Sequence, residues 1–291
     1  YRTLVPLPSP LQEHTVVALP PSIYLLGGID GPSIKSAVHR YSTPTNTWSL
    51  APPLPIPLHH PNAIVTNSSI YLFGGILDLF RWAASASSWK YTPSDPSPSW
   101  QKLADFPNPR GSCVVGVHNG KIWAVGGLGP AQLGGGRAAS TMVSSYDIAE
   151  DTWTTHAELA LPEGRDHAGG GVVGDTLYVV GGRVGTIASV RDTVYALDLG
   201  GLPGARWVEK RKMGVARGGI AAAVVEGKIF AFGGEGNVES EKGVFGEVEV
   251  YDTVGDTWVE GEAMRVPRHG FGAAVIGESV YLPGGGGTEN G

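Results

Sequence analysis

Ile23-Tyr24-Leu25-Leu26-Gly27-Gly28 is the first of a series that decides the fold. The same pattern, an apolar run closed by two glycines, returns as IYLFGG ending at Gly75, IWAVGG at Gly127, LYVVGG at Gly182, IFAFGG at Gly234 and VYLPGG at Gly285. Successive copies stand 47, 52, 55, 52 and 51 residues apart. A supersecondary unit of about 50 residues built around a strand that ends in paired glycines predicts a β-propeller with one four-stranded blade per repeat.

The flanking columns fill out the unit. A strand of small apolar residues precedes each pair, as in CVVGV from Cys113, AGGGVV from Ala168, IAAAVV from Ile220 and FGAAVI from Phe271. Such low bulk suits the innermost strand, where blades crowd the axis and larger side chains would clash. Tight turns such as Asn119-Gly120 and Glu226-Gly227 join it to the second strand. A tyrosine strand follows (Tyr41, Tyr91, Tyr146, Tyr195, Tyr251), then a tryptophan (Trp48, Trp100, Trp153, Trp207, Trp258), and Tyr1 falls in the tryptophan column of a sixth repeat. These aromatics read as filling between blades.

The Gly-Gly pair, the downstream tyrosine with aspartate (Tyr146-Asp147, Tyr251-Asp252) and the spaced tryptophan resemble the kelch repeat over the whole chain. The resemblance implies an all-β, six-bladed kelch propeller forming one domain. Its blades are expected near residues 11–57, 58–109, 110–164, 165–216, 217–267, and 268–291 with 1–10. In this arrangement residues 1–8 supply an outer strand to the sixth blade, so that N- and C-terminal strands close the ring in one sheet. Few residues follow Gly285, so that blade is expected either to have three strands or to belong to a chain trimmed at an end.

Composition excludes several functions. A net charge of −6 and a pI near 5.7 give no basic stripe for nucleic acid, and no run of apolar residues is long enough to span a membrane. Cys113 is the only cysteine, which removes intrachain disulfides and thiolate metal clusters and fits a reducing, cytoplasmic setting. The sequon Asn67-Ser68-Ser69 and a first residue other than methionine leave secretion, with a leader removed, as the other expectation.

Function in a propeller is expected at the channel mouth, on loops held by a rigid frame. Sixteen residues before each glycine pair the sequence reads Leu11, Leu58, Arg110, Arg165, Arg217 and Arg268; two positions later it reads Glu13, His60, Ser112, His167, Gly219 and Gly270. In kelch domains of ubiquitin-ligase adaptors the second column contacts the ligand, and by resemblance it nominates Glu13, His60, Ser112 and His167 here. The histidines and Glu13 suit acid–base catalysis, with Asp166 a further partner and His14, His59 and His269 close by. The arginine column either tethers blades or, through Arg110 and Arg165, clamps an anion.

Phe80 and Trp82, in the apolar loop after Gly75, are expected to grip an apolar ligand body, while Arg183 and Glu235 directly follow their glycine pairs and should face the mouth. Gly134-Gly135-Gly136 weakly suggests a phosphate cradle, but no Lys-Ser/Thr follows. No ligand spacing on one element marks a metal site, and no metal or cofactor is expected. The leading expectation is a small-molecule pocket in which an isomerase, cyclase or lyase would work by acid–base chemistry on a ligand with an anionic group and an apolar body. A protein-interaction module that accepts a polar or acidic peptide loop is the alternative, and a carbohydrate-binding propeller the third.

Overall fold

Every Gly-Gly copy ends the second strand of an antiparallel sheet or hairpin. The computed structural model describes residues 1–129 and 138–289, so the Gly134–Gly136 run lies outside the described residues. The first sheet runs Thr15–Leu19, Ser22–Leu26, Val38–Ser42 and Thr47–Ala51 in chain order, each strand paired to the next. Four more four-stranded sheets repeat that order, with inner strands Asn62–Thr66, Val114–His118, Gly169–Val173 and Ala221–Val225. A sixth unit consists of only two strands, Ala274–Ile276 and Ser279–Tyr281.

The six-bladed expectation is therefore corrected to five four-stranded blades, with a two-stranded hairpin in the sixth position. The expected terminal strand closure is corrected as well, because residues 1–8 form no strand. Pro6 and Pro8 lack the N–H that a ladder needs, which explains why this segment does not pair. It packs instead by side chains: Leu4 and Leu7 join Tyr41, Ala274, Ile276 and Tyr281 in an apolar cluster between the hairpin and the first blade. Equivalent clusters lie between each neighbouring pair of blades, so the core is six interblade seams rather than one centre.

The glycine pairs have a specific physical cause. At the first glycine of the pair, φ is positive and a neighbouring blade's carbonyl presses on the site of the absent side chain. An added Cβ would lie 2.3 Å from Leu58 O at Gly27, 2.5 Å from Arg165 O at Gly126 and 2.7 Å from Leu11 O at Gly284. The second glycine's N–H donates to that same carbonyl, as in Gly28 to Leu58 (2.8 Å), Gly127 to Arg165 (2.7 Å) and Gly285 to Leu11 (2.9 Å). The last of these joins the hairpin to the first blade. Only glycine fits such a close backbone approach in a left-handed conformation.

The tryptophans form a second clip. Trp100 Nε1 donates to Pro52 O at 3.1 Å, Trp153 to Ala104 O at 3.2 Å, Trp207 to Leu159 O at 2.7 Å and Trp258 to Arg211 O at 2.9 Å. Tyr1 continues the series, its hydroxyl donating to Glu262 O at 2.7 Å. No helix among the described residues is long and apolar enough to cross a membrane.

Candidate functional site

The column Glu13, His60, Ser112, His167, Gly219 and Gly270 stands just before the inner strands and rings one end of the channel. Its four side-chain-bearing members all have φ between 51° and 55°, and the two glycines sit at 62°. Backbone hydrogen bonds run round the ring from blade to blade: Glu13 N to Gly270 O (2.7 Å), His60 N to Glu13 O (2.8 Å), Ser112 N to His60 O (3.0 Å) and Gly219 N to His167 O (2.9 Å). Gly270 N donates to Gly219 O (3.4 Å), and at the sixth step the His167 N–H donates to Ser112 Oγ at 3.2 Å instead, which occupies that side chain. Left-handed backbone is costly for a residue other than glycine, and tolerated where the surroundings impose it.

Three of the expected residues converge. His60 Nε2 lies 2.8 Å from Glu13 Oε2 and 2.8 Å from His167 Nε2, although the three come from separate blades. His167 Nδ1 donates to Asp166 Oδ1 at 2.7 Å, and Asp166 also accepts from Arg183 Nε at 2.9 Å and from Gly185 N at 2.8 Å. Arg183 Nη1 meets Glu235 Oε1 at 2.5 Å, and its Nη2 lies 3.1 Å from His167 Nε2. His269 Nε2 stands 3.6 Å from both Glu235 Oε2 and Glu13 Oε1. The result is a closed circuit of ionisable side chains across the mouth: Glu13, His60, His167, Asp166, Arg183, Glu235, His269 and back to Glu13. On its outer side His59 Nδ1 touches His60 Nδ1 at 2.6 Å, and the Trp82 ring packs edge-on to His59 and tilted against His60, 5.2 and 5.5 Å away.

Burial and charge set the protonation of the circuit. Burial works to raise the Glu13 carboxyl, but the His60, His167 and His269 imidazoles hold it well below its usual range. Burial likewise opposes ionisation of Asp166, yet His167 and Arg183 bring it down to about 2. His167 is lowered chiefly by burial and then by the Arg183 charge, while burial takes His59 down to about 3 and His14 to about 4. At neutral pH the carboxylates are ionised, and these three imidazoles are neutral and able to act as bases or ligands.

Other expected residues are placed elsewhere. Arg110 is buried inside its blade, donating to Gly126 O (2.7 Å), Asn108 O (3.0 Å) and Ser144 Oγ (3.2 Å) with its guanidinium 4.4 Å from the Phe106 ring. Arg165 is spent on Glu163, Gly164 O and Thr193. Neither lines the channel. Phe80 is 94% exposed, its loop being held by Asp78, which accepts from Phe80 N and Ala83 N. Cys113 lines the channel, where burial pushes its thiol up to about 11.

Asp166 and His269 enter the circuit and His59 backs it, roles that their adjacency to the column did not assign. A signal was present. The residue before the column pairs by an isolated bridge with the residue after Gly-Gly, as in Asp166 with Arg183, His59 with Ile76 and His269 with Gly286. Two columns of the sequence therefore face each other over the mouth.

Known proteins agree with this architecture. The KLHDC2/KLHL20/DRC7 Kelch-repeats domain matches residues 13–199, and the Kelch motif matches residues 216–265. The chain belongs to the kelch-repeat family. It is 35% identical over 287 residues to the Kelch-like protein terF of Aspergillus terreus, with 95% of this chain and 61% of that protein covered. Kelch-like protein 34 of Homo sapiens is 35% identical over 193 residues, covering 64% of this chain and 27% of that protein. The chain thus spans less than two thirds of the length of these relatives. The solved structure of YjhT superposes with a TM-score of 0.81 at 19% identity, covering 99% of this chain and 94% of that one, a likeness of fold.

Proposed function

We propose that the mouth is a small-molecule site whose reactive groups are Glu13, His60 and His167, in acid–base chemistry of the isomerase, cyclase or lyase kind. The observation that carries the reading is the meeting of these three proton-exchanging groups from three blades, with both of the closest approaches at 2.8 Å. Structural tethering alone gives no reason for the strained backbone beneath them, since glycine serves the same ring position at Gly219 and Gly270. In this reading His60 and Glu13 share a proton, and His167 is a second base oriented by Asp166.

The anion clamp expected of Arg110 and Arg165 loses its support, because their guanidiniums are spent within the blades. The mouth instead presents acceptors and carboxylates, which favours a ligand that brings hydrogen-bond donors or positive charge. The channel behind it, about 200 Å³, limits the ligand to a small one. A test that needs no named substrate is incubation with a metabolite extract of the source organism in D2O, read by mass spectrometry. Wild-type protein should introduce carbon-bound deuterium into a metabolite, and folded Glu13→Gln and His167→Asn variants should not. Labelling that is equal in all three sinks the assignment.

A second reading, as a protein-interaction module, is supported by Phe80 and Val238, 94% and 92% exposed on loops that follow glycine pairs at the same mouth. Co-purification of a protein partner that Phe80→Asp releases would favour it.

A further inference from the structure

Three atoms of the kind that ligate metals, from Glu13, His60 and His167, converge at the mouth. His167 Nδ1 faces the Asp166 carboxylate at 2.7 Å, so that nitrogen carries the ring's proton and Nε2 is bare. His59 Nε2 faces the carbonyl of Asp78 at 3.3 Å and donates to it, which leaves His59 Nδ1 as acceptor for His60 Nδ1–H at 2.6 Å. His60 Nε2, its ring fixed from the Nδ1 side, lies 2.8 Å from His167 Nε2 and 2.8 Å from a carboxylate oxygen of Glu13, so two imidazole nitrogens and a carboxylate oxygen crowd one point.

The charges of the circuit point the same way. Glu13, Asp166 and Glu235 set three acidic side chains in the circuit beside the single guanidinium of Arg183, an acid-rich surrounding of the kind a cation occupies. Asp166 is 0% and Glu235 3% exposed, so water screens little of this.

We propose that Glu13, His60 and His167 form a binding site for one divalent transition-metal ion, of the zinc class. The three donor atoms lie within 4.8 Å of one another. Two imidazole nitrogens and one carboxylate oxygen suit a borderline ion at bond lengths of about 2.0–2.2 Å and leave a fourth position open to water or a ligand. Ligands at such bond lengths stand roughly 3.3–3.6 Å apart round a tetrahedral ion, so the side chains now 2.8 Å apart need to open by less than about 1 Å to admit one.

The surroundings of the donors suit the same role. His167 is backed by a carboxylate, and His60 by a histidine that is itself tied to a carbonyl, the second layer that fixes ring orientation at metal centres. Arg183 must give up its 3.1 Å contact to His167 Nε2, and it keeps Asp166 and Glu235 when it does. The site stands whether or not the mouth turns over a substrate, since it concerns only what separates three side chains.

The test uses the purified chain, stripped with chelator and titrated with Zn2+ by calorimetry and with Co2+ by visible absorption. Folding of every variant is checked by circular dichroism and melting. The expected result is one ion per chain and an intense Co2+ spectrum of low coordination number. Affinity should fall at least 100-fold in His167→Asn, and 10- to 100-fold in Asp166→Asn, because Asp166 orients the His167 ring from behind without touching the metal. His118→Gln, at the far end of an inner strand, should leave binding unchanged. If His167→Asn does not fold, Glu13→Gln decides, with the same loss expected.

Absence of stoichiometric metal and of the Co2+ spectrum in wild-type protein overturns the proposal, as does unchanged affinity in folded Glu13→Gln. In that case a shared proton separates the three groups. Deuterium incorporation by metal-free protein would then leave the acid–base reading standing alone.

Discussion

Two glycines with positive φ separate two costs that are often conflated. At Gly27, φ is 64° and a Cβ would meet Leu58 O at 2.3 Å; at Gly31, φ is 56° and no atom lies within 4 Å. Gly31→Ala should therefore cost only the left-handed backbone penalty, about 1 kcal/mol. Gly27→Ala must also push a neighbouring blade away, and we expect a loss of more than about 3 kcal/mol. Equilibrium denaturation of the two variants measures the difference, and equal losses would contradict the close-approach account of the repeat. Arg110 supplies a second residue-level prediction. Truncating it to alanine leaves buried carbonyls unpaired and a void beside Phe106, at a cost on the order of 3–5 kcal/mol. Ligand or metal binding at the mouth should be unchanged in whatever fraction folds, because Arg110 does not line the channel.

At the scale of elements, the blades are held less by strand pairing than by side chains that reach across the seams. Glu163, just before the fourth blade's inner strand, accepts from Arg165 Nη1 at 2.6 Å and from Arg191 Nη2 at 2.9 Å. Hydrogen bonds from Arg191 come first among the influences that take its carboxyl from 4.5 down to about 2; burial opposes them and Arg165 adds to them. A carboxyl depressed on folding stabilises the fold above its unfolded value, and that stability is lost as pH falls through the folded value. Wild-type protein should thus melt above Glu163→Gln at pH 7, with the gap closing between about pH 4.5 and pH 2. Glu163 is partly exposed, so the gap should be small and should shrink in high salt. A gap that persists at pH 2 would remove the ion pair as its cause.

For the molecule as a whole, the inner strands line a narrow channel, and Cys113 reports on it. Its thiol is pushed up to about 11, so almost no thiolate forms at pH 8. An aromatic disulfide reagent should label native protein very slowly, and unfolded protein at once. Rapid native labelling would mean that the blades part readily. The sixth position is the weakest place in the ring, since Ser279–Tyr281 has a partner on one side only. Its amides should exchange with solvent faster than those of Ile23 or Tyr24, which lie in the middle of a sheet.

The sequence by itself determined the architecture, because every copy of the repeat meets the same local demands. A glycine pair is needed wherever a neighbouring carbonyl crowds a left-handed turn, and an aromatic wherever two blades leave a seam. Those demands were legible even at Tyr1, whose hydroxyl makes the bond that the tryptophan indoles make elsewhere. The same register picked out one column, and the kelch resemblance nominated Glu13, His60, Ser112 and His167 in it. Only the tertiary structure decided which charged side chains turn toward the axis and which turn into a blade. Arg110 and Arg165 share a column with Leu11 and Leu58, and no local pattern says that Arg110 turns to the Gly126 carbonyl and Ser144 and Arg165 to Glu163 and Thr193. Residues 1–8 have the columns of a strand but prolines where donors are needed, so packing prevailed over pairing. The circuit at the mouth is decided by ring closure, which brings residues from different blades, more than 100 positions apart in the case of His60 and His167, to 2.8 Å across the axis.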